Sequence, residues 1–345
     1  MRPGGRVEHV TGNGSEELRK SILAAVVMAA TLVNAASAEE CKRLQRYGRI
    51  PFETDGTTHA YLPATIAGYS TKLMLDTGAY WSVLRSDMVQ KLNLKTKRSY
   101  DMYMVDASGT QMNTLAVVPE FRLAQLNFGA AEFFVGGFAE GSPMEQDGGV
   151  VGRNIFTQVD VEFDNADKAI SIFSQDHCPG EGVYWADEAV VLEYHRNQLT
   201  RSRAASRIKG EIDKNQIDEP IVSAEMMGKP VTVLFDTGAT FTAIDLEHAE
   251  KVFGITPNSP GVVLGEKVYT GSGTQVQTYT YTFKELTISG IKFENVPVRL
   301  GQFGAIAQVV LGMHEMKHLH MFFAFKEGKI YVTDANAGHS SPGAQ

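Results

Sequence analysis

The sequence has no excess of basic charge. It contains 32 lysine and arginine residues against 40 aspartate and glutamate residues, which gives a formal net charge of −8. Proteins that bind a nucleic-acid backbone need a basic surface to displace counterions, so the sequence predicts no nucleic-acid partner. Only 21% of the residues are charged and 43% are hydrophobic. This composition excludes collagen, a coiled coil and bulk disorder.

Long apolar runs are also missing. Residues 22–33 form an apolar run of 12 residues, whereas a membrane-spanning helix needs about 20. The run follows two basic residues and precedes Ala36-Ser37-Ala38, a small-residue pattern typical of a cleavage site. We therefore expect residues 1–38 to be a secretory signal peptide cleaved near Ala38, rather than a membrane anchor or a buried helix. The mature chain is then expected to be exported, either periplasmic or secreted, without stable insertion in a membrane.

Cysteine is scarce. The chain has two cysteines, Cys41 and Cys178, and both follow the expected cleavage site. An even number in an exported protein predicts one disulfide bond. Two unpaired thiols are the alternative.

The chain repeats itself. Its 345 residues predict about two domains. The segment Leu-Met-Leu-Asp-Thr-Gly-Ala around Asp76 returns 160 residues later as Val-Leu-Phe-Asp-Thr-Gly-Ala around Asp236, and Val150-Val151-Gly152 returns at the same spacing as Val310-Leu311-Gly312. Ser-Gly-Thr-Gln occurs in both halves with a spacing of 164 residues, a slip that a hairpin loop tolerates. The sequence therefore predicts an internal duplication.

The repeated halves have the composition of strands. Segments between the repeated motifs are rich in aromatic and β-branched residues, and helical signal is confined to short stretches such as residues 86–92 and 245–253. The predicted fold class is all-β, with two similar lobes and few short helices. The expected boundaries are a signal peptide at 1–38, an N-terminal extension at 39–57, lobe 1 at 58–178, an interlobe linker at 179–207, lobe 2 at 208–333 and a flexible tail at 334–345.

Each repeated Asp-Thr-Gly-Ala motif places a carboxylate where a buried strand ends in a turn. Two similar halves tend to pack about an approximate two-fold axis, so we expect Asp76 and Asp236 to face each other. Two carboxyl groups close together in a low-dielectric site share one proton. Such a pair supplies an acid and a base for the attack of water on a peptide carbonyl.

These motifs resemble those of the aspartic peptidases of the pepsin and retropepsin type. The apolar residues before Asp-Thr-Gly-Ala, the later apolar-apolar-Gly and the hairpin between them occur in both halves, over about residues 58–173 and 208–333. The resemblance implies two retropepsin-like β lobes related by a pseudo-two-fold axis. It also implies an aspartic endopeptidase with Asp76 and Asp236 as the catalytic pair, with no cofactor and no metal. Both halves lie in one chain, which favours a monomer over a dimer.

The resemblance implies roles for the residues around the pair. Thr77 and Thr237 would hydrogen-bond across the axis, and Gly78 and Gly238 would let backbone amides approach the carboxylates. Pepsins commonly carry a serine or threonine where this chain has two further supporting residues, Ala79 and Ala239. Without those hydroxyl donors the pKa values of the pair should be higher, so we expect a mildly acidic to neutral pH optimum.

The hairpins in the middle of each half would, by the resemblance, act as flaps that close over an extended polypeptide substrate. The residues expected there are Ser108, Gly109, Tyr269, Gly271 and Gly273. Ordinary surface hairpins are the alternative.

Two other functions fit parts of the sequence. The segment His314-Glu315-Met316-Lys317-His318 matches H-E-x-x-H, in which two histidines bind zinc and the glutamate acts as a base. The duplication places this segment opposite residues 154–158, which we interpret as a short structural helix, and no third ligand is evident downstream. A catalytically inactive peptide-binding module of the same fold is the other alternative, although both aspartates are retained.

Overall fold

Strands dominate the computed structural model, which describes residues 41–54, 59–100, 103–137, 147–156, 158–195, 219–270, 272–304 and 307–338. The expected signal peptide at 1–38 lies outside the described residues. In chain order the strands are β1 (Arg46–Pro51), β2 (Tyr61–Ile66), β3 (Tyr69–Leu75), β4 (Val83–Arg85), β5 (Lys95–Arg98), β6 (Met104–Val105), β7 (Gln111–Met112), β8 (Thr114–Leu123), β9 (Leu126–Gly136), β10 (Gly149–Val151), β11 (Asp160–Asp164), β12 (Ala169–Phe173), β13 (Val190–Glu193), β14 (Ile221–Met226), β15 (Lys229–Phe235), β16 (Ala243–Asp245), β17 (Val263–Tyr269), β18 (Gln275–Ile288), β19 (Ile291–Gly301), β20 (Val309–Leu311), β21 (Leu319–Ala324) and β22 (Lys329–Asp334).

The helices of the described residues are short. They are α1 (Ser86–Lys91), α2 (Arg153–Phe156), α3 (Leu246–Phe253) and α4 (Met313–Met316). Asp245 caps α3 by accepting a hydrogen bond from the backbone N–H of Glu247, and Gly254 ends it in a left-handed conformation. Across the part of the chain that the structure describes, no helix is long and apolar enough to cross a membrane.

Each half of the chain folds into a closed six-stranded barrel. In the first half the strand order is β2-β3-β10-β4-β9-β8, and β8 pairs with β2 to close the ring. The second half repeats this order as β14-β15-β20-β16-β19-β18, closed by β14 and β18. Strands β5 and β17 each add to one barrel at β8 and β18. The predicted all-β fold with two similar lobes and few short helices is confirmed.

In each barrel the strand that leads into the Asp-Thr-Gly-Ala motif pairs with a strand that is distant in sequence. β10 runs parallel to β3 and antiparallel to β4, and β20 has the same place between β15 and β16. The N–H of Asp76 therefore donates to the carbonyl of Val151 at 3.0 Å, and that of Asp236 to the carbonyl of Leu311 at 3.1 Å. The repeated apolar-apolar-Gly strand thus fixes the backbone at each aspartate.

A third sheet joins the two halves. Its order is β1-β12-β11-β21-β22-β13, and β11 of the first half pairs antiparallel with β21 of the second. All of these strands belong to one compact unit, Arg43–Gln345. The sequence predicts the inner strands as the last strands of each half, but it does not predict that they form one sheet.

The outer strands of this sheet lie outside the two expected lobes. β1 falls in the expected N-terminal extension, and β13 falls in the expected interlobe linker at 179–207. β13 pairs with β22 and buries Leu192, while Tyr194 beyond it is also buried. The start of the expected linker therefore forms a strand, because its apolar residues pack against the sheet. Residues 196–207 of the expected linker lie outside the described residues.

The predicted disulfide is confirmed. Cys41 and Cys178 are bonded to each other, which leaves no free cysteine among the described residues.

Buried acidic residues alternate along β11. The carboxylates of Asp160, Glu162 and Asp164 are all buried. Each has a basic partner from another segment: Asp160 contacts His177 at 2.8 Å, Glu162 contacts His320 at 2.9 Å and Asp164 contacts Arg49 at 2.7 Å. Because His320 lies on β21, the Glu162 pair bonds the two halves of the chain across the shared sheet.

We predict that Glu162→Gln weakens this joint. Burial alone would raise the pKa of Glu162, but hydrogen bonds from His320 and Tyr184 lower it below its usual value. The stabilisation is therefore present above the usual glutamate pKa and is lost as the pH falls. We expect the free energy of unfolding near pH 7 to fall by about 1–3 kcal/mol, as measured by urea denaturation. Exposed Glu188→Gln is the control, and equal stability of the two variants would contradict the prediction.

Candidate active site

The two Asp-Thr-Gly-Ala loops meet between the barrels. Asp76 follows β3 and Asp236 follows β15, and each carboxyl group lies against the glycine of the opposite loop. The two carboxyl groups are close enough for the charge of one to raise the pKa of the other. Both residues remain partly exposed, so the pair is accessible from outside the protein.

Threonine side chains connect the loops beneath the aspartates. The N–H of Thr77 donates to Oγ1 of Thr237, and the N–H of Thr237 donates to Oγ1 of Thr77, each at 3.0 Å. The Thr77 hydroxyl donates to the carbonyl of Phe235 at 2.6 Å, and the Thr237 hydroxyl donates to the carbonyl of Leu75 at 2.8 Å. Both threonines are buried, so these reciprocal bonds hold the two strand ends in a single geometry.

Glycine is required next to each threonine. A Cβ atom on Gly78 would lie 2.4 Å from Cγ of Asp236, and one on Gly238 would lie 2.4 Å from Cγ of Asp76. Any larger residue would push the opposite carboxyl group away. The loop of each lobe therefore forms part of the pocket for the other lobe's aspartate.

The two carboxyl groups have unequal hydrogen-bond donors. Oδ1 of Asp76 accepts from the N–H of Ala79 at 2.7 Å. Asp236 accepts from the N–H of Gly238 at 2.8 Å, and the nearby N–H of Gly78 adds to the electrostatic stabilisation of its charge. The second alanine of the motif, Ala239, instead donates its N–H to the backbone carbonyl of Asp236 at 3.2 Å.

The environment favours one proton on the pair. Burial raises the pKa of Asp76 well above its usual value, and the adjacent Asp236 raises it further. Burial also raises the pKa of Asp236, while backbone donors at Gly238 and Gly78 oppose this rise. Two adjacent carboxyl groups whose pKa values are both raised by burial titrate as a pair, and one proton is shared between them.

Family comparisons match both loops. A family model described as "gag-polyprotein putative aspartyl protease" matches residues 62–157, and one described as "Aspartyl protease" matches residues 222–314. The chain contains two retropepsin-like aspartyl protease domains. The first matched range includes Asp76 and the second includes Asp236, and together they cover more than half of the chain. No curated protein matches the chain.

Arg153 adds a buried positive charge that the sequence analysis did not single out. It is fully buried, pairs with Glu219 at 3.0 Å and directs Nε toward the carbonyl of Ala79 at 3.4 Å. Its charge lowers the pKa values of both aspartates and so limits the effect of burial. The second protease domain has Met313 at the position equivalent to Arg153. This replacement of a charged residue by an apolar one between the two halves is the sequence signal that could have identified Arg153.

The expected flap hairpins of the two protease domains contact each other through Asp106. Oδ1 of Asp106 accepts from the N–H groups of Ser108 and Thr110 in its own hairpin, each at 3.0 Å. Oδ2 accepts from the hydroxyl of Thr270 and from the N–H of Ser272 at 2.8 Å in the opposite hairpin. One carboxylate thus bonds both tips, and no sequence signal marks it, because aspartate is common in turns.

The predicted flap residues lie at or beside these tips. Gly109 and Gly273 adopt positive φ angles of 82° and 85° in matching turns. Ser108 contacts Asp106, and the hydroxyl of Tyr269 accepts a hydrogen bond from Gln275 at 2.7 Å. Gly271 lies outside the described residues.

The H-E-x-x-H segment has a structural role in the second protease domain. Helix α4 ends at Met316, so His314 and His318 do not lie on one continuous helix. Glu315 is buried and accepts a hydrogen bond from Thr242, and it also contacts the ring of His314. The Glu315 side chain therefore holds the turn in place through Thr242. In the first domain Asn154 has the same role, because it accepts a hydrogen bond from Ser82.

We predict that Asp106→Asn separates the two hairpins. Burial raises the pKa of Asp106, but hydrogen bonds from Ser108, Ser272 and Thr270 lower it below the usual aspartate pKa. The Asp106 carboxylate therefore stays charged at any pH above the usual aspartate pKa. Loss of charge-assisted bonds should increase amide hydrogen exchange at residues 106–111 and 272–275 by about 10–100-fold. Hydrogen-exchange mass spectrometry tests this, with exposed Asp187→Asn as the control. Unchanged exchange in the second hairpin would contradict it.

Proposed function

We propose that the protein is an aspartic endopeptidase in which Asp76 and Asp236 activate water to hydrolyse peptide bonds. The main support is the junction of the two Asp-Thr-Gly-Ala loops, where the cross-lobe bonds of Thr77 and Thr237 bring two carboxyl groups close together. The presence of two aspartyl protease domains supports a peptidase hydrolase. Thr77, Gly78, Thr237 and Gly238 position the pair in this proposal.

The proposal gives each aspartate of the pair a role. Ionised Asp236 takes a proton from water while protonated Asp76 donates to the carbonyl oxygen, and the new carbon–oxygen bond gives a tetrahedral diol. Asp236 then passes its proton to the amide nitrogen, Asp76 takes one back from a diol hydroxyl, and the carbon–nitrogen bond breaks. The products are a carboxylic acid and an amine, and the pair returns to its starting state.

The proposed substrate is an extended polypeptide that lies under the two hairpins. The hairpin tips touch through Asp106, so they must separate for a chain to enter and can then exclude water from the reaction. One chain supplies both carboxyl groups, and a monomer is therefore the proposed active form.

An exported location is part of the proposal. The bond between Cys41 and Cys178 supports it, because disulfides persist in oxidising compartments. The signal peptide proposed at residues 1–38 would direct the chain to the export pathway.

We expect Asp76→Asn and Asp236→Asn each to reduce cleavage by about 10²–10⁴-fold or more, because each removes one half of the acid–base pair. Cleavage of an unfolded protein by the purified mature chain is the measurement, with and without pepstatin, and Asp187→Asn is the matched control. A chelator should have no effect. Full activity in either active-site variant would exclude the mechanism, and peptide binding by an inactive wild type would indicate a binding module.

We expect a bell-shaped pH profile with a mildly acidic to neutral optimum. Activity requires one proton on the pair, so it falls at low pH when Asp236 is protonated and at high pH when Asp76 loses its proton. Burial raises both pKa values, which moves both limbs to higher pH than for exposed aspartates. The pH dependence of kcat/KM tests this, and an optimum in the strongly acidic range would contradict it.

A further inference from the structure

The first protease domain has an apolar wall beside its catalytic loop. A buried cluster connects Ala79, three residues after Asp76, to Met112 and Met104 on the hairpin of the same domain. This wall therefore lies between the proposed catalytic pair and the hairpin that would cover a substrate. Its partly exposed members, Trp81 and Met104, are the ones that a bound peptide would contact.

Three residues in or against this wall are large and apolar. Phe134 and Leu115 face each other across β9 and β8 and are buried, and Trp81 packs against Phe134 with its ring centre 6.3 Å away. Trp81 is the partly exposed residue of the three and is backed by Phe134 and Leu115, so this side of the site suits an apolar side chain.

The second protease domain carries different chemistry at the same three places. Phe241 corresponds to Trp81 at the repeat spacing of 160 residues. Strand register gives the other two: Arg299 on β19 lies beside β16 as Phe134 on β9 lies beside β4, and Thr280 pairs with Arg299 as Leu115 pairs with Phe134. An arginine and a threonine thus replace a phenylalanine and a leucine.

Arg299 is held in place but has no acidic partner. Its guanidinium lies 4.6 Å from the ring centre of Phe241, and Nη1 donates to Oγ1 of Thr280 at 2.7 Å. Gly265 makes room for it, since a Cβ there would lie 2.8 Å from Nη1. Within the described ranges no carboxylate forms an ion pair with Arg299, and the side chain is partly exposed.

Such a group is suited to binding a carboxylate. Guanidinium offers five N–H donors in a planar fork that matches a carboxylate in two parallel bonds. The stack on Phe241 and the bond to Thr280 orient the group, so little freedom is lost on binding. Most of its donors remain available in a chain whose net charge is −8, in which acidic groups are plentiful and yet none occupies this place among the described residues.

We infer that Arg299 selects an aspartate or glutamate side chain of the substrate. This inference rests on the proposed endopeptidase function and specifies its substrate class. An extended peptide that crosses both domains places an apolar side chain against the wall of the first domain and an acidic side chain at Arg299. The preferred substrates are polypeptides with an apolar residue on one side of the cleaved bond and an acidic residue on the other.

A quenched-peptide series tests the selectivity. Each position flanking the cleaved bond carries glutamate, glutamine or lysine in turn in an otherwise constant peptide. At one position we expect kcat/KM to be about tenfold higher for glutamate than for glutamine, the size of a charge-assisted hydrogen bond. In Arg299→Gln the ratio should fall to about one, and in Arg299→Glu the preference should change to lysine. The control is Arg122→Gln, a half-exposed arginine paired with Glu120, which should keep the wild-type ratio.

Binding to Asp76→Asn separates this inference from the proposed function. Fluorescence anisotropy of the same labelled peptides should show tighter binding of the glutamate peptide to Asp76→Asn, and this preference should vanish in Asp76→Asn combined with Arg299→Gln. Acidic selectivity in binding without cleavage by the wild type would exclude the proposed function and support the role of Arg299. No glutamate preference in the wild type, its persistence in Arg299→Gln, or no binding of any peptide would overturn the inference.

Discussion

The reciprocal hydrogen bonds of Thr77 and Thr237 are the constraint on which the rest of the site depends. Each bond joins a backbone group of one barrel to a side chain or backbone of the other, and all of them are buried. A single such bond contributes only about 1 kcal/mol, but leaving its buried partners unpaired costs more. The two loops can therefore meet in only one register, which places Gly78 against Asp236 and Gly238 against Asp76. Contact between the carboxyl groups follows from that register.

One junction would leave the barrels free to rotate about it. The shared sheet adds a second, because β11 and β21 pair along several residues and Glu162 contacts His320 across the halves. The hairpin tips add a third through Asp106. The first two junctions consist of buried bonds, whereas the third lies in two turns, where the bonds of Asp106 are joined by an exposed contact between the hydroxyls of Thr110 and Thr274 at 3.2 Å. The tips are therefore the junction most accessible to water.

The repeat explains which features were predictable. The Asp-Thr-Gly-Ala loops, the apolar-apolar-Gly strands and the short helices are local patterns that occur twice, so the sequence alone indicates the barrels and the aspartates. The shared sheet depends on pairing between residues far apart in the chain. The composition of β11 predicts a strand but does not indicate that its partner is β21. Asp106 and Arg153 were missed for a related reason. Their partners Thr270 and Glu219 lie in the other half, and no local pattern connects them.

The differences between the halves matter as much as their similarity. Two identical halves would give the aspartates equal environments, and neither would be the preferred site of the proton. Here Asp76 accepts from the N–H of Ala79 and Asp236 from that of Gly238, and the two domains carry different side chains at equivalent places. Under the proposed mechanism the protonated carboxyl group must face the carbonyl oxygen and the charged one must face the water. Under that mechanism the substrate must bind in one direction, and walls that differ between the domains would set that direction. Phe134 and Arg299 are different side chains at equivalent places.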